Sequence, residues 1–259
     1  MEIWGDYHIH TRASDGQGHV ADKFACASAR GLREIAVADH GYGAIIFHQT
    51  DKKFDAEKRD VERANGLDSV KVYQSIEATP LNEAGDLDVP DATIARCDIL
   101  HFGFHRLIQW RHVKKCPRYF IVNGWGTRWA RSEEDLVEFN TRVYLNVLDR
   151  YPVDVICHLN HRACVDVRRI CTRAAEDGVY VELNEKHIET LEDCIDTVLA
   201  TDVEFILGSD AHRTSDVGNF TRVKSFIERH AIPPERICGV GAKPHFRAKA
   251  DFGKGKENL

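Results

Sequence analysis

The sequence predicts an α/β fold: a closed, TIM-like barrel of parallel strands. Three observations predict it. Seven short β-branched or apolar runs alternate with longer helical patterns along the 259 residues. That βαβα order gives a parallel sheet, and seven such units suggest closure. Nine metal-type side chains each stand just after a predicted strand, where ligands from successive strands converge on one face of a barrel. A doubly wound open sheet places its site at one switch point and would leave that pattern unexplained. The length suits one large α/β domain or two small ones, and neither an internal repeat nor a low-complexity segment interrupts it.

The elements follow in order. A strand over residues 3–7 runs into His8 and His10, with Asp15 shortly after. Side chains at i and i+2 of an extended segment share a face, so both imidazoles can grip one metal, and Asp6 is expected on that face too, either behind the ligands or as a buried hydrogen-bonder. A helix over 20–30 leads to a strand over 34–38, which ends in Asp39 and His40. A helix over 51–65 precedes a strand over 70–76, capped by Glu77. After a short helix over 91–96, the strand over 98–104 carries His101 and ends at His105. Ser132 followed by Glu133, Glu134 and Asp135 marks a helix start with acids in its first turn, over 132–151. The strand over 154–157 delivers His158 and His161, and a helix over 163–177 follows. The strand over 179–183 ends at Asn184, and a helix over 188–200 follows. The strand over 204–207 ends in Gly208-Ser209-Asp210-Ala211-His212 before a last helix over 215–230.

Composition narrows the class. Hydrophobic content of 43% is that of a globular protein. A net charge of −6 does not suggest a general nucleic-acid binder. No secretory signal pattern precedes the first motif, and no apolar run approaches the ~18 residues that span a bilayer. The eight cysteines form no C-x-x-C pair, so a reduced, cytoplasmic setting with inert thiols is expected. Cys157 is the one thiol beside a proposed ligand.

The ordered words His8-Ile9-His10-Thr11, Ala38-Asp39-His40-Gly41, Ile76-Glu77-Ala78, Gly103-Phe104-His105, Cys157-His158, Val181-Glu182-Leu183-Asn184 and Gly208-Ser209-Asp210-Ala211-His212 resemble the polymerase and histidinol phosphatase (PHP) family of metal-dependent phosphoesterases. The chain looks most like the stand-alone YcdX-type members. The resemblance runs from residue 6 to about 240 and is far more specific as a set than in any one word. It implies a distorted (β/α)7 barrel and phosphomonoester hydrolysis by a metal-bridging hydroxide, with two or three divalent ions (Zn, Mn or Fe). It implies one ion at His8, His10, Glu77 and Asp210, and a second at Glu77, His105 and His158. A third would lie at Asp15, His40 and His212, with His19 a competitor for the place of Asp15. His8, His10, Glu77, Asp210 and His212 would carry the catalysis. Three or four N/O ligands per ion leave a position open for water or substrate.

A single barrel over residues 1–248 is therefore expected, with a tail over 249–259 that is free to fray. Residues 106–131 form an insert with seven basic residues and no acidic one, interleaved with Trp110, Tyr119, Phe120, Trp125 and Trp129. Arg106, Arg111 and Arg118 are expected to bind a phosphorylated small molecule there, since Arg pairs well with phosphate and aromatic rings stack. The bland alternative is a solvated loop docked on the acidic body, or an oligomer contact. Arg162 stands near the rim, whereas Arg168, Arg169 and Arg173 read as a solvated helix face. Two other functions stay open: a nuclease acting on nucleic-acid ends, which the basic insert alone favours, and a non-catalytic metal-binding regulator.

Overall fold

The computed structural model describes residues 1–123 and 132–253. Eight strands form one parallel sheet in chain order. They are β1 (Gly5–Ile9), β2 (Glu34–Val37), β3 (Lys71–Ala78), β4 (Ile99–Phe102), β5 (Val155–Ile156), β6 (Tyr180–Asn184), β7 (Phe205–Gly208) and β8 (Ile237–Cys238). The sheet curls back on itself. Trp4 N donates to Gly239 O at 2.8 Å, and Ile9 bridges in parallel to Ala211. The architecture is thus a TIM-like α/β barrel, nearly closed.

All seven expected strands are present, displaced by one or two residues. The eighth was not legible. It is two residues long, follows Pro233-Pro234, and offers no alternation to read. The helices are α1 (Val20–Ala29), α2 (Asp51–Asn65), α3 (Asp91–Ile94), α4 (Trp110–Val113), α5 (Glu133–Arg150), α6 (Val167–Asp177), α7 (Ile195–Leu199) and α8 (Thr221–Arg229). Ser132 caps α5 as expected, accepting from Asp135 N. The helix expected over 188–200 is instead a 3-10 turn, Ile188–Leu191, followed by α7.

The barrel interior is filled by Tyr7, Ala36, Ile99, Val155, Tyr180, Ile206 and Cys238, one residue from almost every strand. The outer faces of the strands pack against the helices in two larger clusters. A break in register between Asp6 and Ile9 lets Tyr7 join the interior layer while His8 still faces the site above it. Asp6, open in the sequence between a place behind the ligands and a buried hydrogen-bonding role, takes the second. Its carboxylate takes Ser209 Oγ at 2.6 Å and Gly218 N at 2.8 Å, tying β1 to the loop after β7.

Phe246 plugs the far end of the barrel, with its ring 5.2 Å from that of Tyr73 and 6.1 Å from that of Tyr7. The chain does not fray at residue 249. Lys249 is buried, and its Nζ lies 2.6 Å from Asp154 Oδ2. An ammonium within reach of a buried carboxylate anchors the segment there. Residues 254–259 lie outside the described part of the chain, as do Trp125, Arg128, Trp129 and Arg131 of the insert. Within the described part of the insert, Tyr119 and Phe120 are not stacking platforms. They are buried with Phe104, Phe139 and Val143 in a small core of their own.

Candidate metal centre

The ends of β1 to β7 bring the predicted residues to one mouth of the barrel. Glu77 sits at the centre and is buried. Its two oxygens face different groups. Oε1 lies 3.0 Å from His105 Nε2 and 2.9 Å from His158 Nε2. Oε2 lies 3.5 Å from His8 Nε2, 3.7 Å from His10 Nε2 and 3.0 Å from His40 Nδ1. Oε2 is nevertheless a buried oxygen without a hydrogen bond of good geometry. His10 Nε2 is 3.1 Å from His8 Nε2 and 3.4 Å from Asp210 Oδ1. On the other side, Asp15 Oδ2 is 3.0 Å from His212 Nε2 and 3.5 Å from His40 Nε2.

These separations fit a metal. Two ligand atoms each about 2.1 Å from a shared ion stand roughly 3–3.5 Å apart. Four sets could hold an ion among the described residues. Three of them lie within the predicted residues: His8, His10 and Asp210; His40, Glu77 and His105; and His10, Asp15, His40 and His212. These three sets hold eight of the nine residues singled out in the sequence, and the ninth, His158, joins them through Glu77 Oε1 at 2.9 Å. His19 is not with them. It stands at the start of α1, where its backbone N donates to Asp22. His101 belongs to none of these sets, although its ring stands 5.4 Å from that of His8; its Nδ1 lies 2.6 Å from Ser75 Oγ. The fourth set, His8, Cys157 and Glu182, is fully buried. Burial pushes the Cys157 thiol well up, so a thiolate ligand is not favoured there.

Charge is distributed to suit cations. Burial would raise the Glu77 and Asp210 carboxyls, but the surrounding imidazoles, with His105 and His8 foremost around Glu77 and His10 and His212 around Asp210, hold both well below the usual carboxylate range. Burial keeps His10 down at about 4, a neutral imidazole with a lone pair to give. Against burial, Asp15 and Glu77 hold the His40 proton up to about 10.

A surrounding layer fixes these side chains. Glu182, on β6, accepts from His8 at Nδ1 across 2.7 Å with Oε1 and from His158 N at 2.9 Å with Oε2. Asp39 accepts from Thr11 N at 2.8 Å and from the hydroxyls of Thr11 and Ser14, which holds the loop that carries Asp15. Asn184 donates to Glu182 Oε2 at 3.0 Å and lies 3.3 Å from Asp210 Oδ2. Backbone shape is specialised as well. His158 and Asp210 adopt left-handed φ of +32° and +52°, a conformation costly for residues other than glycine and held by the surrounding packing. Two glycines make room. A Cβ on Gly103 would stand 2.5 Å from His158 Cε1, and one on Gly208 would overlap Glu182 Oε1 and stand 2.8 Å from His8 Cβ.

A cleft of about 200 Å³ opens over the cluster, lined by His10, Glu77, His105, His158, Asp210 and His212 on its floor. Arg106, Arg162, Lys186, His161 and His187 stand around it. Lys186 was not foreseen. Its Nζ is 3.1 Å from Asp210 Oδ1 and 2.5 Å from His212 Nδ1. Glu182 was likewise quoted only as part of a word. The signal for both was their place in the run Val181-Glu182-Leu183-Asn184-Glu185-Lys186 at the end of β6. Of the three arginines expected at the substrate, only Arg106 lines the cleft. Arg118 lies 4.8 Å over the Phe139 ring and bonds to Asp135 O at 3.3 Å. Arg111 lies beside His112, at 3.1 Å, on the short helix α4 and exposed.

No family model matches the chain. Curated relatives do, over nearly its whole length. A probable phosphatase of Acetivibrio thermocellus is 26% identical over 256 residues, 94% of this chain and 93% of that protein. A probable phosphatase of Edwardsiella ictaluri is 28% identical over 250 residues, 92% and 90% of the two chains. Among solved structures, the fold is similar to that of histidinol phosphate phosphatase from Lactococcus lactis, solved with zinc, L-histidinol and phosphate. The TM-score is 0.59, at 16% identity over 88% of this chain and 93% of that one.

Proposed function

We infer that this chain, whose motif resemblance to the PHP family is borne out by its relatives and its fold, is a phosphomonoesterase that works with divalent metal ions. The observation that carries the reading is the placement of Glu77, each carboxylate oxygen turned toward a separate group of imidazoles. A carboxylate placed so can join two ions. His8, His10 and Asp210 would complete one site, and His105 and His158 the other. Asp15, His40 and His212 would hold a third. Zn, Mn or Fe ions held there would supply Lewis acidity and a water ionised near neutral pH.

The protein's own groups account for the remaining steps. Lys186 with Arg106 and Arg162 would draw in a phosphoryl group and keep its charge over the cluster. Glu182 holds Nδ1 of His8, so that Nε2 keeps its lone pair turned toward Glu77 and His10. No serine or cysteine nucleophile is required. The testing experiment is inorganic phosphate release from phosphomonoesters and short oligonucleotides, with Mn, Zn or Fe and with chelator. Metal-dependent release from monoesters supports the reading. Release from oligonucleotides alone would replace it with a nuclease.

A further inference from the structure

A second cleft, about 340 Å³, adjoins the one over the cluster and shares His40, His105, Arg106 and Arg162 with it. Its outer wall is apolar: Ala44, Ile45, Ile46 and Phe47 from the loop after β2, and Leu107 and Ile108 from the loop after β4. Four of these stand in solvent, with Ile45 49%, Ile46 69%, Phe47 48% and Leu107 61% exposed. A run of exposed large apolar residues is a liability unless something covers it.

The wall is built rather than loose. Ala44 and Ile108 form an antiparallel bridge, Ile45 N donates to Leu107 O at 2.9 Å, and Gln109 N donates to Gly43 O at 2.8 Å. Beneath it, buried Asp88 accepts from Gly43 N at 2.8 Å and Thr79 N at 2.7 Å, which fixes the root of the first loop.

Resting on the reading given under Proposed function, we propose that this wall seats the leaving group, and that the substrate is a phosphomonoester of an apolar, ring-bearing alcohol. Two observations fix that occupant. The apolar wall ends on His40 and His105, so a phosphate over the cluster places its ester oxygen toward it. The volume also suits it, since an apolar cavity of about 150 Å³ holds one benzene ring. A ring on a short linker therefore fits and would cover the exposed faces of Ile46 and Phe47, apolar surface that a polyol or sugar would cover less favourably.

The test uses calorimetric binding of two non-hydrolysable probes, 3-phenylpropylphosphonate and 2-hydroxyethylphosphonate, to the metal-loaded full chain. The phenyl probe is expected to bind at least about tenfold tighter, a difference of about 1.4 kcal/mol. Ile46→Ser combined with Phe47→Ser, both on the surface, is expected to bring the two affinities within about twofold of each other. Equal affinities, a ratio that survives the double substitution, or binding of neither probe would overturn the inference. So would a dimer that dissociates in the double variant, because the wall would then be a subunit interface. Hydrolysis of 3-phenylpropyl phosphate is measured beside it. Discrimination without hydrolysis overturns the phosphoesterase reading and leaves the apolar seat, whereas hydrolysis with no preference does the reverse.

Discussion

Glu182 Oε1 lies 2.7 Å from His8 Nδ1, on the side of the ring turned away from Glu77, and both side chains are buried. A carboxylate behind a ligand imidazole fixes its tautomer and raises its basicity. The Glu182→Gln variant should therefore keep its fold and lose roughly 10–100-fold in metal affinity or turnover. Metal titration followed by a rate assay would show it. Wild-type affinity and rate together would mean that Glu182 only fills space.

Gly208 gives that pair its room. An added methyl would run into Glu182 Oε1 and His8 Cβ. Gly208→Ala should cost about 1–3 kcal/mol of stability, the range for overpacking a well-filled interior. Urea unfolding of the two proteins is the check. An unchanged midpoint would show that β7 can shift at no cost.

The arginines separate into two kinds. Arg106 lines the cleft over the cluster, while Arg118 is held over the Phe139 ring. Arg106→Ala should raise KM about tenfold, the loss of one charge-assisted contact of roughly 1.5 kcal/mol. Arg118→Ala should leave KM within about twofold and lower stability by up to about 1 kcal/mol. Steady-state kinetics beside thermal melts would decide it. A KM effect at Arg118 equal to that at Arg106 would contradict the assignment.

Glu57 offers a pH test away from the ligands. It is buried, accepts from Gln74 Nε2, and faces the carboxylate of Asp39. Burial first, and then Asp39, hold its pKa well above 4.5, so the folded protein keeps the proton. A raised folded value adds stability that is fully present below 4.5 and lost as pH rises through the folded value. Glu57→Gln keeps an acceptor for Gln74 and a donor for Asp39 without the titration. Its stability should match the wild type below pH 4.5 and fall less steeply as pH rises above it. Parallel curves for the two proteins would show that Glu57 is ionised in the folded state.

The barrel and its ligand residues were legible because both are written locally. Strand runs such as Ile35-Ala36-Val37 and the residues that close them, such as His40, are adjacent in sequence. The bulge between Asp6 and Ile9 was not legible, because register depends on the partner strand. Glu182 and Lys186 were missed for a related reason. Their roles come from His8 and Asp210, which reach them only across the closed barrel. The insert misled through composition. Tyr119 and Phe120 read as stacking rings, but they pack against each other and against Phe104, with Phe139 beside Tyr119, and burial among these outweighs exposure at a rim.

The most direct test of the account compares the wild type with a His8→Ala and His10→Ala double variant, measuring metal content and phosphate release on the same samples. Metal-dependent release by the wild type is expected, with at least one ion and essentially all turnover lost in a variant that remains folded. A folded double variant that still releases phosphate at the wild-type rate would contradict it.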